Sequence, residues 1–214
     1  MVKAVIFDFD GVLAESVGIK TEAFRKLFEK EGPEAVNKIV AYHLEHGGVS
    51  RFEKFRHIYK EILKRPLGDG EFDLLCRKFG EFVLEEVIRA PEVNGSAECL
   101  RKLHGKAKLF IVSGTPEEEM RHIAEARGTA RYFDGIYGSP LTKAELVREI
   151  LKGNGLSPDE VVFVGDAMTD YNAAMETGVG FIARITPETE GLWKDLDVKV
   201  VGDMAACVSL LGLD

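Results

Sequence analysis

The sequence has no glutamine, only three cysteines, and no apolar run of the length needed to cross a bilayer. Cys76, Cys99 and Cys207 are odd in number and form no C-x-x-C pair. That argues against a disulfide framework and fits a reducing interior, with all three read as buried small hydrophobes. The first apolar stretch meets Asp8 too early for a signal peptide, so a cytoplasmic protein is expected. Positive charge is in deficit as well: 28 Lys and Arg stand against 36 Asp and Glu, a net charge of -8. Phosphate backbones and anionic membranes repel such a chain, which argues against nucleic acid or a membrane surface as partner. Absent glutamine beside 30% charged residues leans towards a heat-adapted source. The 214 residues suffice for one good-sized core, or one core with a smaller module attached.

What is present begins with VIFDFDGVL, Val5 to Leu13. The run AVIF reads as a central parallel strand, apolar throughout because helices cover both faces. Asp8 and Asp10 then lie two residues apart, on one side of the strand's end, and Gly11 lets the chain turn sharply. Carboxylates that close repel, so a cation between them is expected unless one keeps a proton. Oxygen ligands at the mouth of an α/β sheet suit a small hard ion such as Mg²⁺. An acidic turn after a strand would read the same, and D-x-D alone does not separate the two.

Further β-rich runs follow at Lys108 to Val112, Gly135 to Gly138, Val161 to Val164, Gly178 to Ala183 and Asp197 to Val201, with helical periodicity between them. Strand alternating with helix predicts a doubly wound, Rossmann-like parallel sheet with right-handed crossovers. The interval from Glu15 to Ile88 carries no convincing strand. Its apolar residues fall at helical spacing: Phe24, Leu27 and Phe28; Phe52, Phe55, Tyr59 and Ile62; Phe72, Leu75, Phe79 and Phe82. The expected organisation is core 1–14, helical insert 15–88 and core 89–214. Capping-box patterns at Ser50/Glu53, Thr115/Glu118 (with Pro116 first in the helix) and Thr142/Glu145 mark three helix starts.

Three more strand ends carry chemistry. Phe110-Ile-Val-Ser-Gly-Thr closes a buried strand with Ser113 and Gly114 before a helix N-terminus, a place hospitable to phosphate, although a serine there also serves as an ordinary turn residue. Lys143 opens a helix, where an ammonium opposes the dipole and is better placed on a bound anion; a solvated lysine is the plain alternative. VVFVGDAMTD runs a strand into Asp166, with Asp170 one helical turn on. Ligands of open α/β sheets bind beyond the carboxyl ends of the strands. One rim would therefore gather acids for a cation, and a hydroxyl and an ammonium for an anion, which suits a phosphate ester.

D-F-D-G-V-L, hydrophobic-Ser-Gly-Thr, the lysine before a helix and G-D-A-M-T-D, in this order, resemble the four motifs of the haloacid dehalogenase superfamily, and the similarity spans essentially the whole chain. Within it the chain is similar to the phosphoglycolate phosphatase and β-phosphoglucomutase branch, except that Glu15 stands where many members carry Asp. The resemblance implies that the insert is a cap domain and that the chain is a Mg²⁺-dependent phosphatase of a small phosphorylated metabolite, acting as monomer or homodimer. It implies Asp8 as nucleophile forming an aspartyl phosphate, and Asp10 as general acid and then base. It implies metal binding by Asp8, the Asp10 carbonyl and Asp166, with Asp170 beside them, and phosphate binding by Ser113, Gly114 and Lys143. Asp10 argues against dehalogenation, because a halide needs no acid to leave. A phosphomutase would share every motif, and a receiver-like phospho-aspartate switch is the rival from another class. In the insert, HLEHGGVSRFEKFR concentrates His43, His46, Arg51, Lys54 and Arg56. This is either a substrate-reading cluster, with Arg51, Lys54 and His46 as contacts, or a basic solvated helix face. A phosphonate hydrolase would need a cap lysine forming an imine; Lys54 is the candidate, against the plainer reading of a solvated lysine.

Overall fold

The computed structural model describes residues 1–213. Among these, six parallel strands form one sheet: β1 (Ala4–Phe7), β2 (Lys108–Pro116), β3 (Gly135–Ser139), β4 (Val161–Gly165), β5 (Gly180–Arg184) and β6 (Lys199–Val201). Their order is β3-β2-β1-β4-β5-β6, so the expected doubly wound sheet is present with β1 at its centre. Every residue of β1 is fully buried. Alternation along the strand divides it between two cores: Val5 and Phe7 join one hydrophobic cluster, Ala4 and Ile6 the other. That two-sided burial is why AVIF has no polar face.

The first four of the five α-helices between β1 and β2 are α1 (Val17–Leu27), α2 (Pro33–Glu45), α3 (Arg51–His57), running into a wider turn over Ile58–Ile62, and α4 (Asp69–Arg89). They form the helical cap. Its aromatic centre packs Phe24 against Phe55 and Phe79 at ring separations of 5.7 and 4.9 Å, with Phe28 and Tyr59 alongside. One expected core residue is misplaced. Phe82 is 42% exposed, and the buried stripe of α4 runs Leu75, Phe79, Val83, Val87, a strict four-residue step. None of the cap helices among the described residues is long and apolar enough to cross a membrane, nor is any other helix.

The remaining helices are α5 (Ser96–Leu103), α6 (Glu117–Ala126), α7 (Lys143–Asn154), α8 (Met168–Thr177) and α9 (Ala205–Leu211). Thr142 caps α7 with the full reciprocal box to Glu145, as its sequence indicates, and Ser50 accepts the Glu53 amide at the start of α3. The box at Thr115 does not form. Pro116 is the residue ahead of α6 rather than its first, and the Thr115 hydroxyl is drawn into the site described below. Cys99 and Cys207 are buried as expected, whereas Cys76 on α4 is only half-buried.

Candidate active site

Asp8 follows β1 directly and is 3% exposed; its amide donates to the Val164 carbonyl at 2.9 Å, which fixes it against the end of β4. The turn after it depends on Gly11, whose φ is +76° and whose missing Cβ leaves room for the Asp166 carboxylate. Asp8, Asp166 and Asp170 each present an oxygen within 4.8 Å of the others. Lys143 Nζ lies 3.0 Å from Asp8 Oδ2 and 2.5 Å from Asp170 Oδ1. The second Asp170 oxygen accepts the Ala167 amide at 3.1 Å, so both are occupied. Asp8 Oδ1, by contrast, is buried with no hydrogen-bond partner.

Three carboxylates and one ammonium leave two negative charges in excess. Burial, only partly offset by Lys143 and reinforced by the charges of Asp170 and Asp10, pushes Asp8 up to about 7. Burial and then the Asp8 and Asp170 charges also raise Asp166 well above the carboxylate range. Lys143 is held charged: burial works against its ammonium, but Asp170 and Asp8 outweigh it. A divalent cation is what this donor set fits. It would balance the excess charge and give the orphaned Asp8 oxygen a partner, with Asp8 and Asp166 as direct ligands and Asp170 behind them.

Asp10 departs from the expected cation shared between the two acids of D-x-D. Its carboxylate is not one of the three that cluster and is ion-paired with Lys20 of α1, while the Ser16 hydroxyl donates to its Oδ1 at 2.6 Å. Thr115 Oγ1 accepts from Lys20 at 2.7 Å and reaches Asp10 Oδ2 at 3.4 Å. Burial alone would raise Asp10, but the charge and hydrogen bond of Lys20, helped by Ser16, hold it below the usual range. A lysine does for Asp10 what the two-residue spacing assigned to a metal.

Ser113 is buried at the end of the straight part of β2, and its Oγ accepts the Thr115 amide at 3.1 Å, a turn-forming role that leaves the hydroxyl able to donate. Gly114 is covered by the cap. A side chain there would run into the Gly48 carbonyl, and Thr169 Oγ1 donates to the Gly47 carbonyl at 2.8 Å. The loop containing Gly47 and Gly48 therefore sits directly on the strand ends.

The basic cap segment is not a solvated face. Arg51 is 6% exposed, ion-paired with Glu119 of α6 and lying over the Phe79 ring. It ties cap to core instead of presenting a free guanidinium to a ligand, because a carboxylate from a distant helix reaches it first. His46 stacks on Tyr42, which in turn stacks on His57, and its Nδ1 meets the Tyr42 carbonyl at 3.0 Å, so it is committed within the cap. Lys54, far from being solvated, is 2% exposed, with its Nζ 2.8 Å from His43 Nδ1 and 3.2 Å from the His43 carbonyl. Burial, followed by the charges of Lys20 and Lys143, brings it down to about 7, which places it within electrostatic reach of the acid cluster. Of the three expected cap contacts, only Lys54 shows an electrostatic influence from the site, through Lys20, Asp10 and Lys143.

Lys20 and Arg184 are not singled out by residue reading, Thr115 reads there as a helix cap, and His43 as one member of the basic cluster. Lys20 had one available signal: it lies four residues after Ser16, hence on the same face of α1. The others gain their roles from partners remote in sequence. A hollow of about 410 Å³ on the cap, bordered by Arg56, Tyr59, Lys60, Lys64 and Arg65, shares no residue with the acid cluster. Three of its cations are already paired, Arg65 with Glu31, and Lys60 and Lys64 with Glu61.

Comparison with known proteins bears on the family and the fold. Over 185 residues the chain is 24% identical to phosphoglycolate phosphatase 1 of Pseudomonas aeruginosa, covering 83% of this chain and 67% of that protein. It is 34% identical over 95 residues to a 5'-nucleotidase of the same species, a match spanning 42% of this chain and only 43% of the nucleotidase, less than half its length. The crystal structure of β-phosphoglucomutase from Clostridium difficile superposes with a TM-score of 0.78 at 19% identity, covering 96% of this chain and 93% of the other, a likeness of fold. The model of haloacid dehalogenase-like hydrolases matches residues 2–178, most of the sheet and the whole cap. Matched over more than half its length, with the acids and the lysine at the strand ends, the chain belongs to the haloacid dehalogenase-like hydrolase family.

Proposed function

We propose that this chain is a phosphatase of that family which hydrolyses a small phosphorylated metabolite by passing the phosphoryl group through Asp8. The observation that carries the reading is Lys143, held 3.0 Å from Asp8 and 2.5 Å from Asp170 beside an unpartnered Asp8 oxygen. An ammonium so placed can hold phosphoryl oxygens while Asp8 faces phosphorus. Asp8 attacks, forming an Asp8–phosphorus bond as the bond to the leaving oxygen breaks, and Asp10 gives that oxygen its proton. Asp10, again a carboxylate, then takes a proton from water as the water oxygen attacks phosphorus and frees Asp8. Its pairing with Lys20 favours the ionised form needed for the second step. The approach of a phosphate dianion opposes that ionisation and favours the protonated form needed for the first. Ser113 and the Gly114 amide would hold the remaining phosphoryl oxygens. Mg²⁺, held by Asp8, Asp166 and the Asp10 carbonyl with Asp170 behind, would shield the nucleophile from an anionic ester and stabilise charge on the transferring group.

Lys54 would read a second polar group of the metabolite, since it feels the charges of Asp10 and Lys143 and, unlike Lys20, is bonded to His43 instead of a carboxylate. The cap over Gly114 and the built-in base Asp10 favour turnover over a lasting phospho-aspartate signal. Free thiols at all three cysteines support a reducing, cytoplasmic setting. The test is phosphate release across a panel of phosphorylated metabolites with and without Mg²⁺, using Asp8→Asn as blank. The expected result is Mg²⁺-dependent release lost in Asp8→Asn. Release that survives the substitution would mean another nucleophile, and transfer to a sugar phosphate in place of water would mean a mutase.

A further inference from the structure

Arg184 ends β5, two strands away from β1, and is 8% exposed. Its guanidinium reaches back to the loop that follows the nucleophile. Nη1 donates to the Gly11 carbonyl at 3.2 Å and to Glu15 Oε2 at 3.4 Å, and Nη2 donates to Glu15 Oε1 at 2.6 Å. Both oxygens of Glu15 are engaged, a two-pronged grip that a guanidinium supplies and an ammonium does not. The next residue, Ser16, is fully buried and its hydroxyl donates to Asp10 Oδ1. The same segment is tied to the chain that leaves the cap after α4, because the Glu15 amide donates to the Pro91 carbonyl at 2.9 Å and Ala14 pairs with Glu92. Residues 11–16 thus form one clamped span. Arg184 grips it at Gly11, directly after Asp10, and at Glu15, directly before the hydroxyl that orients Asp10.

We propose that Arg184 is a positioning residue for the general acid: through Gly11 and Glu15 it fixes Ser16, and Ser16 aims the Asp10 carboxyl at the leaving oxygen. The proposal rests on the reading of Asp10 as that acid. The physical reason is geometric. Proton delivery in the transition state requires the donor within hydrogen-bond reach of one particular oxygen, and a loop free to shift by an ångström loses most of that advantage. Ser16 holds Oδ1, while Oδ2 accepts from Lys20 and Thr115, so the orientation of the carboxyl rests on the Ser16 side of the loop as well as on Lys20.

A merely structural role and an acid-positioning role differ in their dependence on the leaving group. Nitrophenoxide departs without a proton, whereas a benzyl alkoxide needs one. The experiment compares kcat/KM, which reports the steps up to departure of the alcohol, for p-nitrophenyl phosphate and benzyl phosphate in the Mg²⁺-loaded enzyme. Arg184→Met should lower kcat/KM for benzyl phosphate at least about tenfold more than for p-nitrophenyl phosphate. Arg184→Lys, which keeps the charge and one prong, should fall between wild type and Arg184→Met. Glu15→Gln should move in the same direction, and it keeps the test open if Arg184→Met does not fold. Asp10→Asn runs in parallel. If it separates the two esters and the Arg184 and Glu15 variants do not, the positioning role is overturned while the acid stands. If Asp10→Asn fails to separate them, the acid assignment falls and this proposal with it.

Discussion

The Lys54 ammonium is buried against His43 Nδ1 and the His43 carbonyl, neither of which carries negative charge. Burial first, and then the neighbouring Lys20 and Lys143, hold it near 7 where a free lysine titrates near 10.5. Below pH 7 both folded and unfolded chains carry the proton, and the fold bears the full cost of a buried cation. Between about 7 and 10.5 the unfolded chain alone keeps it, so this cost is relieved as pH rises. Lys54→Met is therefore expected to stabilise the protein, by on the order of 2 kcal/mol more at pH 6 than at pH 9. Denaturant unfolding at both pH values measures it, and an equal gain at the two would return Lys54 to an ordinary lysine value. A residue retained at such a cost is one that function has a use for, in keeping with its proposed contact to substrate.

Among the elements, the loop containing Gly47 and Gly48 brings the cap onto the strand ends, beside the contact that Lys20 of α1 makes with Asp10 and Thr115. The glycine pair reads in sequence as a break before α3, which it is. Packing adds that Gly48 has φ +75° and that a side chain on it would meet Lys143 Nζ at 2.9 Å as well as the Thr169 hydroxyl. Gly48→Ala imposes a left-handed conformation on a residue with a Cβ, costing about 1–2 kcal/mol, and pushes directly on the lysine that grips Asp8. The expected outcome is a kcat/KM for the true substrate reduced at least about tenfold with Tm lowered by only a few degrees. Unchanged turnover would show that the loop does not bear on Lys143. At α6 an element-level expectation failed for a tertiary reason: Thr115, with the right spacing for a cap, gives its hydroxyl to Asp10 and Lys20. Local capping lost to a better-placed charge.

At the scale of the molecule, the sheet drives three acids into one buried corner with a single ammonium, storing repulsion where the chemistry is proposed to occur. Asp166→Asn relieves part of it. In chelator this variant should melt a few degrees above wild type, and the rise in Tm that Mg²⁺ gives the wild type by mass action should be lost. A thermal melt series with and without Mg²⁺ decides, and an undiminished Mg²⁺ shift would remove Asp166 from the ion's ligands. The alternation of strand and helix, the central place of AVIF, the all-helical stretch before β2 and the identity of the groups at each strand end were legible in the residues, because apolar runs, periodicity and turn chemistry are local properties that the chain writes in order. Which charge neutralises which was not. Arg51 meets Glu119 across 68 residues, Thr115 meets Asp10 across 105, and Arg184 meets Glu15 across 169. Such pairs depend on where side chains point once the layers have packed, and no spacing in the sequence records that.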